Sequence, residues 1–216
     1  MTEPRQIRLL MELRTLGVGD AKVLAAIERV PREAFVPQQF LDQAYENTAL
    51  PIGEGQTISQ PLVVALMTQA LELDKRMKVL EVGTGSGYQC AVLARLARRV
   101  YTIERHQNLL AVAEKRLHQL RITNYTARAG DGHKGWPEQA PFPRILVTAA
   151  AAKMPEMLIE QLDIGGKMVI PVGERPSDQS VVRVTRTDSG YTTENLFPVR
   201  FVPLVREEPE RSKAGN

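Results

Sequence analysis

Val79–Tyr88 reads VLEVGTGSGY, and how this stretch is read decides the fold. Its first half, with Lys78, is a short apolar run broken by one acid, the pattern of a strand buried on both faces. Three glycines at alternate positions, Gly83, Gly85 and Gly87, then turn the chain into YQCAVLARLA, an apolar helical stretch. Strand, glycine turn and helix make the first half of a βαβ unit. The spacing differs from the dinucleotide pattern G-x-G-x-x-G, and no Lys-Ser/Thr pair follows as a triphosphate loop requires. Such a turn lets a ligand without phosphates approach the bare backbone.

Outward from the loop, strand and helix keep alternating. RVYTIE, YTARAG, RILVTAA and GGKMVIPVG read as strands, and HQNLLAVAEKRLHQL and PEMLIEQL as helices. Helices of this length between strands mean parallel pairing, so the predicted fold is an α/β, doubly wound sheet with helices on both faces. Beyond Gly173 the period changes to two around the turn signal DSG, which predicts antiparallel strands closing the sheet. Upstream, apolar residues at helical spacing predict a helix from Glu3 to about Leu16, and Asp20 is placed to cap AKVLAAIERV. PREAFVP and QQFLDQAY read as short helical pieces between prolines, and PLVVALMTQALEL as a long apolar helix. We therefore expect a single domain over 1–216, with a helical lead-in over 1–52, a core over 53–205 and a disordered tail over 206–216.

Composition narrows the function. The chain has 216 residues, 43% hydrophobic and 25% charged, in the range of globular proteins able to bury a full core. Its net charge of +3 comes from 28 basic and 25 acidic residues, a mixed surface with no concentrated basic patch and no aromatic-bearing RNA signature. We expect neither nucleic acid nor membrane as a partner. One cysteine, Cys90, rules out an internal disulfide and predicts a cytoplasmic protein. Cys90 falls on the apolar side of a predicted helix and reads as packing. His106, His118 and His133 lack metal-binding spacing, so no metal is expected. Trp136, beside Pro137, reads as a loop anchor.

Two acids follow the glycine loop at strand ends. Glu104 closes the next strand, where a carboxylate accepts hydrogen bonds from ribose hydroxyls, and Asp131, in GDGHKGW, stands where an adenine edge would be read. The other reading is that both acids cap helices and the glycines make tight turns. Ahead of the loop lies Gly53–Pro61, GEGQTISQP, where Thr57, Ser59 and Gln60 supply hydrogen-bonding side chains beside glycines. Thr57 and Ser59 are also placed to cap the helix that follows.

VLEVGTGSGYQ with Glu104 and Asp131 resembles the seven-stranded, Rossmann-like methyltransferases that use S-adenosylmethionine. GEGQTISQPLVVALM is the more specific motif: it resembles the signature of the protein-L-isoaspartate O-methyltransferase family. LPIGEG, GDGHKGWPEQAPF, ILVTAA, LIEQLDIGGKMVIPVG and VRFVPL stand in that family's order, so the likeness runs from about Val30 to Leu204. The resemblance implies methyl transfer from S-adenosylmethionine, leaving S-adenosylhomocysteine, to the free α-carboxylate of L-isoaspartyl residues in damaged proteins. The ester then closes to a succinimide whose reopening restores some normal linkage. Ser59 is implied as the active-site residue, with cofactor contacts from Thr57, Gln60, Glu81, Gly83, Gly85, Gly87, Glu104, Asp131 and Gly132. A monomer is expected.

A carboxylate nucleophile, ionised at neutral pH with a pKa of about 3.5 to 4, needs no general base, which suits a chain without an evident catalytic histidine. A neutral hydroxyl orients it without weakening it as a cation would, so GEGQTISQP is predicted to fold over the donor and present Ser59 to the substrate. The strands around VRFVPL are expected to offer an edge or a groove to the peptide's backbone, with Val202 in it. One departure from the family, the late Pro155 after ILVTAA, falls in a loop expected near the peptide. Rival readings are a methyltransferase acting on RNA or a small molecule, and a silent module that binds S-adenosylmethionine without turnover.

Overall fold

The computed structural model of the chain describes residues 4–205; the expected tail lies outside the described residues. Helices α1 (Pro4–Thr15) and α2 (Ala21–Arg29) open the chain, and 3-10 turns follow at Arg32–Phe35 and Gln38–Gln43. Asp20 caps α2, its carboxylate accepting from the amides of Lys22 and Val23. The helical lead-in stops short of residue 52, because β1 (Leu50–Gly53) and β2 (Gln56–Ile58) pair as an antiparallel hairpin. Its turn holds Glu54 and Gly55 at φ of 51° and 67°, the left-handed pair that Asn-Gly or Asp-Gly normally announces. A glutamate at the first position and Pro51 inside β1 conceal the hairpin from a pattern reading.

The core then runs α3 (Pro61–Leu71), β3 (Lys78–Val82), α4 (Tyr88–Leu96), β4 (Arg99–Glu104), α5 (Gln107–Gln119), β5 (Tyr125–Ala129), β6 (Phe142–Val147), α6 (Glu156–Ile159), β7 (Leu162–Val172), β8 (Ser180–Thr187) and β9 (Gly190–Pro198). Seven strands lie side by side in the order β5-β4-β3-β6-β7-β8-β9. Pairing is parallel from β5 to β7 and antiparallel for β7–β8 and β8–β9. From β3 the chain winds out to β4 and β5, then returns to lay β6 on the other side of β3. The crevice beyond the C-terminal ends of β3 and β6 is therefore the switch point, where sheets of this kind bind ligands.

Strand residues alternate between two apolar layers. Val79, Val100, Leu146 and Val169 pack under α1 to α4, while Leu80, Ile103, Ile145 and Met168 pack with Trp136 and α6 on the opposite face. Burial on both faces explains why β3 reads as an apolar run broken only by Glu81. Truncating Leu80, which has no exposed surface, to alanine costs about 2–5 kcal/mol.

The second face carries less helix than the sequence predicts, since PEMLIEQL yields only Glu156–Ile159. Gln161 is buried there; its amide donates to Lys134 O at 2.9 Å and accepts from Trp136 N at 2.6 Å, tying the loop after β5 to the start of β7. Arg144, on β6, donates to the carbonyls of Leu71 and Glu72 and so closes the C-terminal end of α3.

Candidate active site

The glycine loop Gly83–Gly87 sits at the switch point. Gly83 has φ of 98°, and a Cβ there would stand 2.3 Å from Thr148 Oγ1. Thr148 follows β6, and its hydroxyl donates to Gly83 O at 2.7 Å and Val82 O at 3.0 Å, so one threonine ties the two strands that flank the crevice. Gly87, at φ of 88°, begins α4 where a Cβ would meet Ala113 Cβ at 3.1 Å; it lets α5 pack close and lies outside the cavity lining. Glu104 holds the loop from the side. Its Oε2 accepts from Gly85 N at 2.9 Å and its Oε1 from His106 N at 3.0 Å, leaving further lone pairs on a carboxylate that borders the cavity.

Glu81 supports the loop from beneath. It has no exposed surface, Oε2 accepts from Thr102 Oγ1 at 2.6 Å, and Thr102 Oγ1 in turn lies 2.6 Å from Thr84 Oγ1. Burial, with the nearby negative charge of Glu104, pushes its carboxyl up to about 8; the acid is held neutral at pH 7. Implied as a cofactor contact, Glu81 stands beneath the loop and forms no part of the cavity wall. Cys90 packs against it with no exposed surface, its thiol pushed up by the same burial.

The hairpin β1–β2 lies over this loop. Ile52 Cδ1 comes within 3.6 Å of where a Cβ on Gly85 would be, and Glu54 at the tip accepts from Asn108 Nδ2 at 3.2 Å on α5. Thr57 and Ser59 do not cap α3. Its first turn is served from a distance by Asn47, whose Oδ1 accepts from Leu62 N at 3.0 Å, and Gln60, the N-cap, makes no side-chain cap bond. Among the described residues, no protein group bonds the hydroxyl of Thr57 or Ser59.

Both residues line two cavities. The first runs from Thr57 and Ser59 past Gly83, Gly85, Glu104 and Gly132 to Phe201–Val205. The second is bounded by Thr57, Ser59, Gln60, Pro176, Val199, Arg200 and Phe201. Thr57, Ser59 and Phe201 form the wall between them. Asp131 stands behind the first cavity: its carboxylate accepts from His133 N at 2.9 Å, and its neighbour Gly132 provides the lining. Trp136 is a loop anchor, packed edge-on against Tyr101 at 5.4 Å with Arg128 over its face at 4.3 Å.

The C-terminal strip departs from expectation. VRFVPL is not a sheet strand: past Pro198 the chain runs alone, joined to Ala150 by one parallel bridge in which Ala150 N donates to Val202 O and Leu204 N to Ala150 O. Val202 therefore lines the first cavity, and the backbone bordering the second is Val199–Phe201. Gln179 fixes the strip at Phe201 through both ends of its amide, at 2.6 and 3.2 Å; no sequence signal pointed to Gln179 or Thr148. The loop ending at Pro155 borders neither cavity beyond Ala149.

A family model described as protein-L-isoaspartate(D-aspartate) O-methyltransferase matches residues 4–209. The chain belongs to that family. Relatives named protein-L-isoaspartate O-methyltransferase include one from Rhodospirillum rubrum, 66% identical over 98% of this chain and 97% of its own. Another, from Paramagnetospirillum magneticum, is 64% identical over 96% of this chain and 98% of its own. A solved structure from Plasmodium falciparum, named as a candidate protein-L-isoaspartate O-methyltransferase and in complex with S-adenosyl-L-homocysteine, aligns with a TM-score of 0.82 at 26% identity, over 94% of this chain and 99% of that one. The O-methyltransferase family thus matches the lead-in, the hairpin and the C-terminal strip as well as the sheet.

Proposed function

We propose that the first cavity holds S-adenosylmethionine, that the second holds the isoaspartyl peptide, and that Ser59 presents the peptide's free α-carboxylate to the donor. The observation that carries this is the shared wall: Thr57 and Ser59 line both cavities, and among the described residues no protein group takes their hydroxyls.

The first cavity fits a nucleoside-bearing donor. Gly83 and Gly85 expose bare backbone at the switch point, and Glu104 borders it with lone pairs suited to ribose hydroxyls. When bound, the sulfonium supplies an already activated methyl group. What the chain must do is orient an ionised carboxylate in line with it and exclude water, since near-attack alignment rather than proton transfer limits such a reaction. The Ser59 hydroxyl donates to the carboxylate as a neutral group, which fixes an oxygen and leaves it nucleophilic. Glu81, Asp131 and Gly87 hold the loops that carry these groups.

The second cavity suits an acidic peptide. Among the described residues lining it, Arg200 is the one charged side chain, and it is exposed at the rim, where it attracts carboxylates at long range. We place the reaction in the cytoplasm, in keeping with a chain whose single cysteine forms no internal disulfide.

The test is direct. Purified protein with labelled S-adenosylmethionine is offered two peptides that differ only in carrying L-isoaspartate or L-aspartate. Base-labile label on the isoaspartyl peptide alone is expected; label on neither, with donor binding intact, sinks the proposal.

A further inference from the structure

Arg32 has no exposed surface and lies 27 residues from Ser59 in the chain. Its Nη2 donates to Ser59 O at 2.9 Å and to Thr48 O at 3.3 Å. Thr48 precedes β1 and Ser59 follows β2, so one nitrogen closes the base of the hairpin. The guanidinium carbon lies 4.9 Å from the centre of the Tyr88 ring. Tyr88 begins α4 directly after Gly87 and lines the first cavity, and Phe35 meets the same ring edge-on at 5.5 Å. Arg32 therefore touches both the strip that carries Ser59 and the end of the glycine loop.

Packing alone does not call for an arginine here. Among the described residues Nε and Nη1 meet no partner with hydrogen-bond geometry and no carboxylate pairs with the guanidinium, whose remaining polar neighbours are the tyrosines Tyr88 and Tyr45. A buried cation held by two carbonyls and a ring destabilises a fold that methionine or leucine would fill without that penalty. Lysine offers no planar fork to span two carbonyls while lying on a ring.

We infer that Arg32 is a positioning residue: by holding Thr48 and Ser59 against Tyr88 it sets the distance between the acceptor strip and the donor cavity. This rests on the function proposed above. A misplacement of about 1 Å is enough to cost about 100-fold in rate.

Arg32→Met keeps the volume and removes the donors. Assayed well below its own melting temperature, it should lose about tenfold or more in kcat on the isoaspartyl peptide while its Kd for S-adenosylmethionine stays within about threefold. Arg32→Lys keeps the charge; its kcat should fall about threefold, with hydrogen exchange quickening at residues 56–59 and not in β3 or β6. It decides the matter if Arg32→Met does not fold. Unchanged kcat in a folded variant, a Kd that rises as kcat falls, or exchange that quickens across the whole sheet overturns the inference. A wild-type protein that leaves the isoaspartyl peptide unmethylated overturns the proposed function instead, whereas an active wild type with indifferent variants overturns the role of Arg32 alone.

Discussion

The two cavities share a wall and are built on different principles. The first is walled mainly by the ends of parallel strands: Gly83 and Gly85 after β3, Glu104 at the end of β4, Gly132 after β5 and Thr148 after β6. The second borrows from places far apart, with Ala49, Thr57, Ser59 and Gln60 from the hairpin region, Pro176 and Ser177 from the turn after β7, and Pro198–Phe201 from the end of β9 onward. One is founded on the sheet's switch point, with the hairpin and the C-terminal strip closing its sides. The other is an addition, and on the proposed function it is what would fit a donor site to a particular acceptor.

That contrast is sharpest if each cavity is disabled alone. Gly83→Ala forces a positive φ on a side chain and drives its Cβ into Thr148; affinity for S-adenosylmethionine should fall by about 100-fold, read by calorimetry. Loss of peptide binding with donor binding intact would reverse the assignment of the cavities. Ser59→Ala should lower kcat by about 10- to 100-fold with donor affinity nearly unchanged, and equal turnover would remove Ser59 from the site. Arg200→Glu touches only the second cavity. The peptide KM should rise about three- to tenfold at low salt, the difference shrinking as salt is added; a salt-independent change would mean a contact other than charge.

The smallest effect on transfer is expected beneath the loop. Glu81→Gln should leave kcat within about twofold, because the native acid is already neutral at pH 7, yet it should change how stability depends on pH. The folded carboxyl titrates near 8 and the unfolded one near about 4.3. Between those values the folded state binds more protons than the unfolded, so native stability declines as pH rises and levels off above the folded value. The glutamine variant lacks that decline, so its advantage in urea denaturation should grow from pH 5 to pH 8. A constant difference would mean that Glu81 is ionised in the folded protein.

The donor side was legible because its signals are local. Glycines at alternate positions after an apolar run, and an acid at the end of the next strand, lie within a few residues of the geometry they produce. The hairpin was not legible as a hairpin, since its turn is Glu54-Gly55 rather than Asn-Gly. Nor did Asn47 signal that it serves the first turn of α3, which leaves Thr57 and Ser59 uncommitted; that contact spans fifteen residues of chain. Expected at the peptide, Val202 lines the first cavity and not the second, because the strip after β9 is bound to Ala150 and Gln179 rather than to a strand edge.

By itself the sequence determined the order of strands and helices from α3 to β9, the glycine loop and, through GEGQTISQP, the kinship of the chain. Periodicity and turn chemistry act over one turn or one strand, and a linear text carries them. Only the tertiary structure decided which side chains meet: that Thr148 ties β3 to β6, that Glu81 lies under the loop as a neutral acid, and that Arg32 holds the hairpin to Tyr88. Burial and contact between residues distant in the chain set those relations, and neither exists until the sheet has formed.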